Sequence, residues 1–156
     1  MKILFLDIDG VVNSATSIRR NRRLIDPHLA FIVRRIAIAI PDLKVVLSSS
    51  WRCLGDGREI VEKKIIRCFD VTPILHDLDL SRGHEIQAWL SAHPEVERYA
   101  ILDDDNDVLE HQMVNFFQTS RRTGITPKVA DRIIAHFTQV ALHSTILCDI
   151  VRREGC

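Results

Sequence analysis

The chain has 156 residues, 46% hydrophobic and 27% charged, a size that allows one compact domain with a sizeable core and excludes a long multidomain machine. Lys and Arg total 21 against 21 Asp and Glu, so the formal charge is zero and there is no overall basic field to hold nucleic acid non-specifically. Cys53, Cys68, Cys148 and Cys156 form no CxxC pair, the opening MKILFLDIDG meets an aspartate before a leader segment could form, and no apolar stretch nears the ~20 residues of a membrane span. The expectation is a reduced, cytoplasmic protein with no membrane partner.

In chain order, Ile3–Leu6 is a continuous apolar run, as a parallel strand covered on both faces requires. Asp26-Pro27 supplies an N-cap and a first helical residue, and Leu29, Ile32, Val33, Ile36 and Ile40 recur at helical spacing until Pro41. A second buried strand is predicted at Lys44–Leu47. Beyond Gly55 and Gly57, Ile60, Val61, Ile65 and Ile66 mark an amphipathic helix, and Pro73 demotes Val71–Leu75 to an edge or loop element. Ile86, Trp89 and Leu90 mark the next helix, Tyr99–Leu102 a third buried strand, Val108–Met113 a short helix and Val114–Phe117 a fourth strand. Thr126-Pro127 opens a helix through Ile133 and Ile134, and the apolar tail beyond Phe137 suits a packed or dimer-forming helix, placing a helical tail at about 127–156.

Strand–helix alternation at this spacing predicts an α/β fold. It is a three-layer, Rossmann-like, mostly parallel sheet with helices on both faces, formed by a single domain over residues 1–156. Right-handed crossovers bring the carboxyl ends of the strands to one edge, where such folds bind ligands. Asp7 and Asp9 after the first strand, Ser48 after the second, and Asp103 and Asp104 after the third should therefore meet.

Asp7-Ile8-Asp9-Gly10 places two acids on one side of a tight turn, so that one could attack while the other handles protons; Asp and Gly are equally ordinary turn residues. The run Asp103-Asp104-Asp105-Asn106-Asp107 crowds carboxylates that a cation would relieve, and hard oxygen ligands without His or Cys suit Mg²⁺. Asp103 and Asp104 are the expected inward members, and Asp105 and Asp107 are read as solvated. Ser48-Ser49-Ser50-Trp51-Arg52 offers a strand-end hydroxyl and backbone N–H groups for a phosphoryl oxygen, and Arg82, at a helix start, can offset charge on a transferring phosphoryl group. The seven histidines show neither HxH nor HExxH spacing and are read as surface or satisfied polar residues. Trp51 could stack on a base, whereas Trp89 is read as core.

Taken together and in order, Phe5-Leu6-Asp7-Ile8-Asp9-Gly10-Val11, Val45-Val46-Leu47-Ser48, Arg82 and Ile101-Leu102-Asp103-Asp104 resemble the four motifs of the haloacid dehalogenase (HAD) superfamily of phosphotransferases. The motifs lie within residues 3–107, and the third departs from the family in carrying arginine where lysine is usual. Leu47–Arg52, Arg82–Leu90, Ile101–Asp105, Gln118-Thr119 and Thr123–Thr126 further resemble the small phosphatase-like domains of RNA-repair proteins, which are similar to the 3′-phosphatase half of bacteriophage polynucleotide kinase/phosphatase.

The resemblance implies that Asp7 is the nucleophile and forms an aspartyl-phosphate, with Asp9 as the acid and then the base. It implies Mg²⁺ held by Asp7, the Asp9 carbonyl and Asp103 or Asp104, with Ser48 and Arg82 on the phosphoryl oxygens. Gly10, Ser49 and Arg52 complete the expected substrate-binding set. Between Asn13 and Asp42, and between Arg52 and Leu80, there is room for little more than one helix and its loops, so a minimal cap or none is expected and the site should be open to a macromolecular end. Residues 16–35 sum to +5 and 95–110 to −6, and Arg19, Arg20, Arg22 and Arg23 could guide a phosphate backbone, although such a run is also an ordinary solvated loop. A phosphomonoesterase acting on an RNA or DNA 3′-end is the favoured reading. A nucleotide or small-metabolite phosphatase and a non-catalytic binding module are the alternatives, and the tail allows a monomer or a homodimer.

Overall fold

The computed structural model describes residues 1–17, 25–75 and 81–138. Five strands form one parallel sheet: β1 (Lys2–Leu6), β2 (Leu43–Leu47), β3 (Asp70–Val71), β4 (Arg98–Asp103) and β5 (Phe116–Gln118), in the order β3-β2-β1-β4-β5. Among the described residues the longer helices are α1 (Pro27–Ala39), α2 (Gly57–Lys64), α3 (Arg82–Ser91) and α4, helical over residues 127–138; residues 15–17 are also helical, and short 3₁₀ turns lie at Ser50–Cys53 and Glu110–Asn115.

The central strand explains why its sequence does not alternate. Ile3, Leu4, Phe5 and Leu6 are all fully buried, Leu4 and Leu6 against one core and Ile3 and Phe5 against another. The first core takes Leu29, Ile32, Val33 and Ile36 of α1, Val61 of α2 and Ala130, Ile133 and Phe137 of α4. The second takes Ile86 and Trp89 of α3, with Trp89 edge-on to Phe5 at 5.4 Å between ring centroids. Each such side chain stabilises the fold by about 1.5–3 kcal/mol through burial, so both faces of β1 hold the layers together.

Local chemistry sets the boundaries. The Asp26 side chain accepts from the His28 backbone N–H at 2.8 Å, and Pro27 occupies the first turn of α1, where no N–H is needed. Pro41 forces Ile40 out of the helical region, to φ −116° and ψ 104°, which ends α1. β3 is the expected edge element, only two residues long before Pro73. The fourth predicted strand is displaced: Val114 belongs to the 3₁₀ turn and is 79% exposed, and pairing begins at Phe116, opposite Ile101. The expected helix at Val108–Met113 is this 3₁₀ turn at Glu110–Asn115. No cap is evident among the described residues, and no helix among them is long and apolar enough to cross a membrane. Arg19, Arg20, Arg22 and Arg23, and the apolar tail from residue 139 onward, lie outside the described residues.

Candidate active site at the carboxyl edge of the sheet

Strand register assembles the site. Leu6 pairs with Leu47 on one side and Leu102 on the other, so Asp7, Ser48 and Asp103 stand side by side at the ends of β1, β2 and β4. Backbone pairing continues there, with Asp7 N–H donating to the Leu102 carbonyl and Ser48 N–H to the Leu6 carbonyl, both at 3.0 Å. Phe5, Val46 and Ile101 face the core that holds α3, and two residues further on the strand alternation brings Asp7, Ser48 and Asp103 to that same face. Because α3 packs there through Ile86 and Trp89, its first residue, Arg82, is delivered to the acids: Nη2 lies 3.7 Å from Asp7 Oδ1 and Nε 3.8 Å from Asp103 Oδ2. The α3 start is pinned by Asp107, whose carboxylate accepts from Arg82 N–H and whose carbonyl accepts from Gly83 N–H, each at 3.1 Å. Asp107, read from the sequence as solvated, is exposed and also positions this helix.

Asp7, Asp103 and Asp104 each offer an oxygen within 4.8 Å of the others. Desolvation by burial pushes the Asp7 carboxyl up from 3.8 to about 6, against the opposing pull of Arg82 and Ser49. Burial, reinforced by the Asp7 charge, pushes Asp103 up from 3.8 to about 7. Asp104 is also raised by burial, and Arg121 opposes the rise. Three carboxylates that resist ionising together could hold a metal ion: hard oxygen donors without nitrogen or sulfur suit Mg²⁺, whose charge would restore the ionised forms.

Unsatisfied groups give a second test of fit. Asp103 Oδ2, Ser48 Oγ and Arg82 Nη1 are buried without hydrogen-bond partners, and all three belong to this edge. They comprise an acceptor for a cation and two donors for phosphoryl oxygens, the pattern that an Mg²⁺–phosphate pair would complete. Thr72 Oγ1 is a further unpartnered buried hydroxyl; it follows β3, whose Val71 pairs with Leu47, which sets it beside Ser48.

The Asp7–Asn13 loop is fixed by its own bonds. Gly10 has φ +74°, and a Cβ there would run into the Asp104 carboxylate, so glycine lets the loop pass close to the acids. The Asp9 carboxylate is not one of the three clustered acids and accepts from Trp51 Nε1 at 3.0 Å and Asn13 Nδ2 at 2.5 Å. Trp51 is buried and positions Asp9, so its side chain is not offered as a surface for a base.

Ser49 caps the 3₁₀ turn, accepting from Trp51 N–H at 3.4 Å. Arg52 differs from the expected substrate contact. Its side chain is 5% exposed, ion-paired with Glu85 at 2.5 Å, and its Nη1 donates to the Ser48 and Ser49 carbonyls at 2.8 Å. It therefore shapes the loop that carries Ser48 instead of presenting a free cation. His84 is the satisfied polar residue expected, accepting from Ser81 N–H at 3.2 Å, and Cys68 is buried in the core. Sequence reasoning did not single out Trp51 as the anchor of Asp9, Thr72, or Arg121, whose Nε lies 3.4 Å from Asp104 Oδ2. For Arg121 the only sequence signal was its place in a polar turn after a strand.

A parallel sheet in this order, with acids on its first and fourth strands meeting a hydroxyl on the second and a cation from a following helix, is the architecture of a HAD domain. The family model for the HAD domain in Swiss Army Knife RNA repair proteins matches residues 3–130, and the chain belongs to that family. No curated protein and no solved structure gave a match.

Proposed function

We propose that this chain is a Mg²⁺-dependent phosphomonoester hydrolase that works through an aspartyl-phosphate at Asp7 and acts on nucleic-acid 3′-phosphate ends. The observation that carries the reading is the convergence of Asp7, Asp103 and Asp104 within 4.8 Å, beside Arg82 and an unpartnered Ser48 hydroxyl. In the first step an Asp7 carboxylate oxygen bonds to phosphorus as the ester P–O bond breaks, and Asp9 gives its proton to the leaving oxygen. In the second, water bonds to phosphorus as the Asp7–phosphorus bond breaks, and Asp9 takes the proton of the water. Ser48 Oγ and Arg82 Nη1 bind the phosphoryl oxygens, where the charge spreads in the transition state. Asp7, Asp103 and Asp104, with the Asp9 carbonyl, would hold the Mg²⁺, which would supply the positive charge that lets an anionic nucleophile approach an anionic phosphate.

Two observations favour a nucleic-acid end over a small metabolite: the RNA-repair family to which the chain belongs, and the absence of a cap among the described residues, which leaves the site open to a macromolecule. The test is phosphate release, with and without Mg²⁺, from 3′-phosphorylated oligonucleotides, 5′-phosphorylated oligonucleotides, mononucleotides and p-nitrophenyl phosphate, with Asp7→Asn as the blank. Preference for 3′-phosphorylated strands is expected. Turnover of mononucleotides or aryl phosphate alone would retain the chemistry and overturn the substrate, and no release from any of them would favour a binding module.

A further inference from the structure

We infer that Arg121 is a substrate-positioning residue that grips a second phosphate of a polymeric substrate, the diester linkage next to the scissile end. The inference rests on the phosphatase reading and names a feature of its substrate. Arg121 is the only cation among the described residues paired with Asp104, at 3.4 Å, yet its side chain is 81% exposed. Its backbone, by contrast, is fixed. The Arg121 carbonyl accepts from Ala15 N–H at 3.0 Å, the Arg122 carbonyl accepts from Thr16 Oγ1 at 2.8 Å, and Ser120 and Gly124 bridge the base of the turn. Gly124, at φ +75°, closes this turn against Leu29 and the Val11 carbonyl, so the turn is anchored to the same loop that carries Asp9 and Gly10.

A fixed backbone thus holds a long, solvated guanidinium beside Asp104, whereas the half-buried Arg82 lies against Asp7 and Asp103. Arg121 and a divalent cation compete for one carboxylate. Were Asp104 to hold the cation, the guanidinium would have no other ion-pair partner among the described residues. A guanidinium matches two oxygens of a phosphate in fork geometry, and an anion at the rim must come from the part of the substrate beyond the reacting phosphoryl group. A mononucleoside 3′-phosphate has no such group, whereas an oligonucleotide has one at the adjoining linkage.

The test compares wild type, Arg121→Ala and Arg121→Lys on a 3′-phosphorylated oligonucleotide and on a mononucleoside 3′-phosphate, with Mg²⁺ saturating for each protein so that the competition for Asp104 does not enter. Equilibrium binding of the labelled oligonucleotide is also measured by fluorescence anisotropy in the Asp7→Asn background with Mg²⁺ present. Arg121→Ala is expected to raise KM and weaken oligonucleotide binding by about tenfold, with kcat held within about twofold and the mononucleotide unaffected, and Arg121→Lys to recover part of the loss. Equal losses on both substrates, or unchanged oligonucleotide binding, would overturn the inference. If wild type hydrolyses neither substrate, the phosphatase reading fails on its own, and the anisotropy measurement still decides whether Arg121 holds the polyanion.

Discussion

Asp103→Asn should stabilise the metal-free protein while abolishing its activity. Asp7 and Asp103 ionise near pH 6 and pH 7 in the fold, against 3.8 for the free carboxyl. A carboxyl raised in this way contributes stability while it stays protonated in the native state, and that stability is lost as pH rises through the native value. Between about pH 5 and about pH 8 the unfolded chain already carries both charges, whereas the native chain must acquire them. At ~1.4 kcal/mol per tenfold change in proton affinity, the metal-free wild type should lose about 4 kcal/mol over that range, of which Asp103 accounts for about 2.7 kcal/mol. Asn at this position keeps a carbonyl for the Asp105 N–H, which donates to Asp103 Oδ1 at 3.1 Å, so the loop should survive the change.

The assay is urea unfolding of both proteins at about pH 5 and about pH 8, with and without Mg²⁺. The expected result is an Asn variant whose stability advantage over wild type without Mg²⁺ grows by about 2–3 kcal/mol from the lower pH to the higher. His136, which burial lowers, and Asp104, which burial raises, are common to both proteins and cancel to first order in the difference. Mg²⁺ at about a hundredfold excess over its dissociation constant should return about 2.7 kcal/mol to wild type at the higher pH, and much less at the lower, where protons compete for the same oxygens. A stability difference that does not change with pH, or a Mg²⁺ effect equal at both, would refute the reasoning.

Ser48→Ala should lower kcat/KM on the order of 10²-fold while leaving the unfolding midpoint unchanged or slightly higher, because Ser48 Oγ has no protein partner to lose. Arg52→Met should cost about 3 kcal/mol in denaturant unfolding by leaving the largely buried Glu85 with only the Leu75 N–H at 3.5 Å, and Arg52→Met with Glu85→Leu should recover most of it; a raised KM with unaltered unfolding would instead make Arg52 a substrate contact. Gly10→Ala should destabilise the fold by about 1–2 kcal/mol, from the left-handed backbone at φ +74°, and weaken Mg²⁺ binding measured by calorimetry, because the new methyl group displaces Asp104.

How far the sequence reveals the fold depends on where each element lies. β1, β2 and β4 are covered on both faces, so their apolar runs mark them to within a residue or two, and Pro73 announces the short edge strand. β5 was misplaced because Val114 is apolar yet exposed in a 3₁₀ turn, a distinction that apolar content alone does not carry. The strand-end acids were legible because register in a parallel sheet forces them together. Asp103 and Asp104 could not be ranked from sequence, and the structure brings both into the cluster. Arg52 was misread for a different reason: its partner Glu85 is 33 residues away on α3, and only packing shows that its fork is occupied. Arg121 was missed on the same ground, since nothing local in a polar turn indicates that the chain folds it over Asp104.

The central claim is that Asp7 becomes covalently phosphorylated. Wild-type protein mixed with Mg²⁺ and a 3′-phosphorylated oligonucleotide, quenched in acid within one turnover and digested, should yield the peptide containing Asp7 heavier by one HPO₃ group, and borohydride should convert that residue to homoserine. Asp7→Asn should show neither. Phosphate release with Asp7 unmodified at every quench time, or a phosphorylated peptide that persists in Asp7→Asn, would contradict the account.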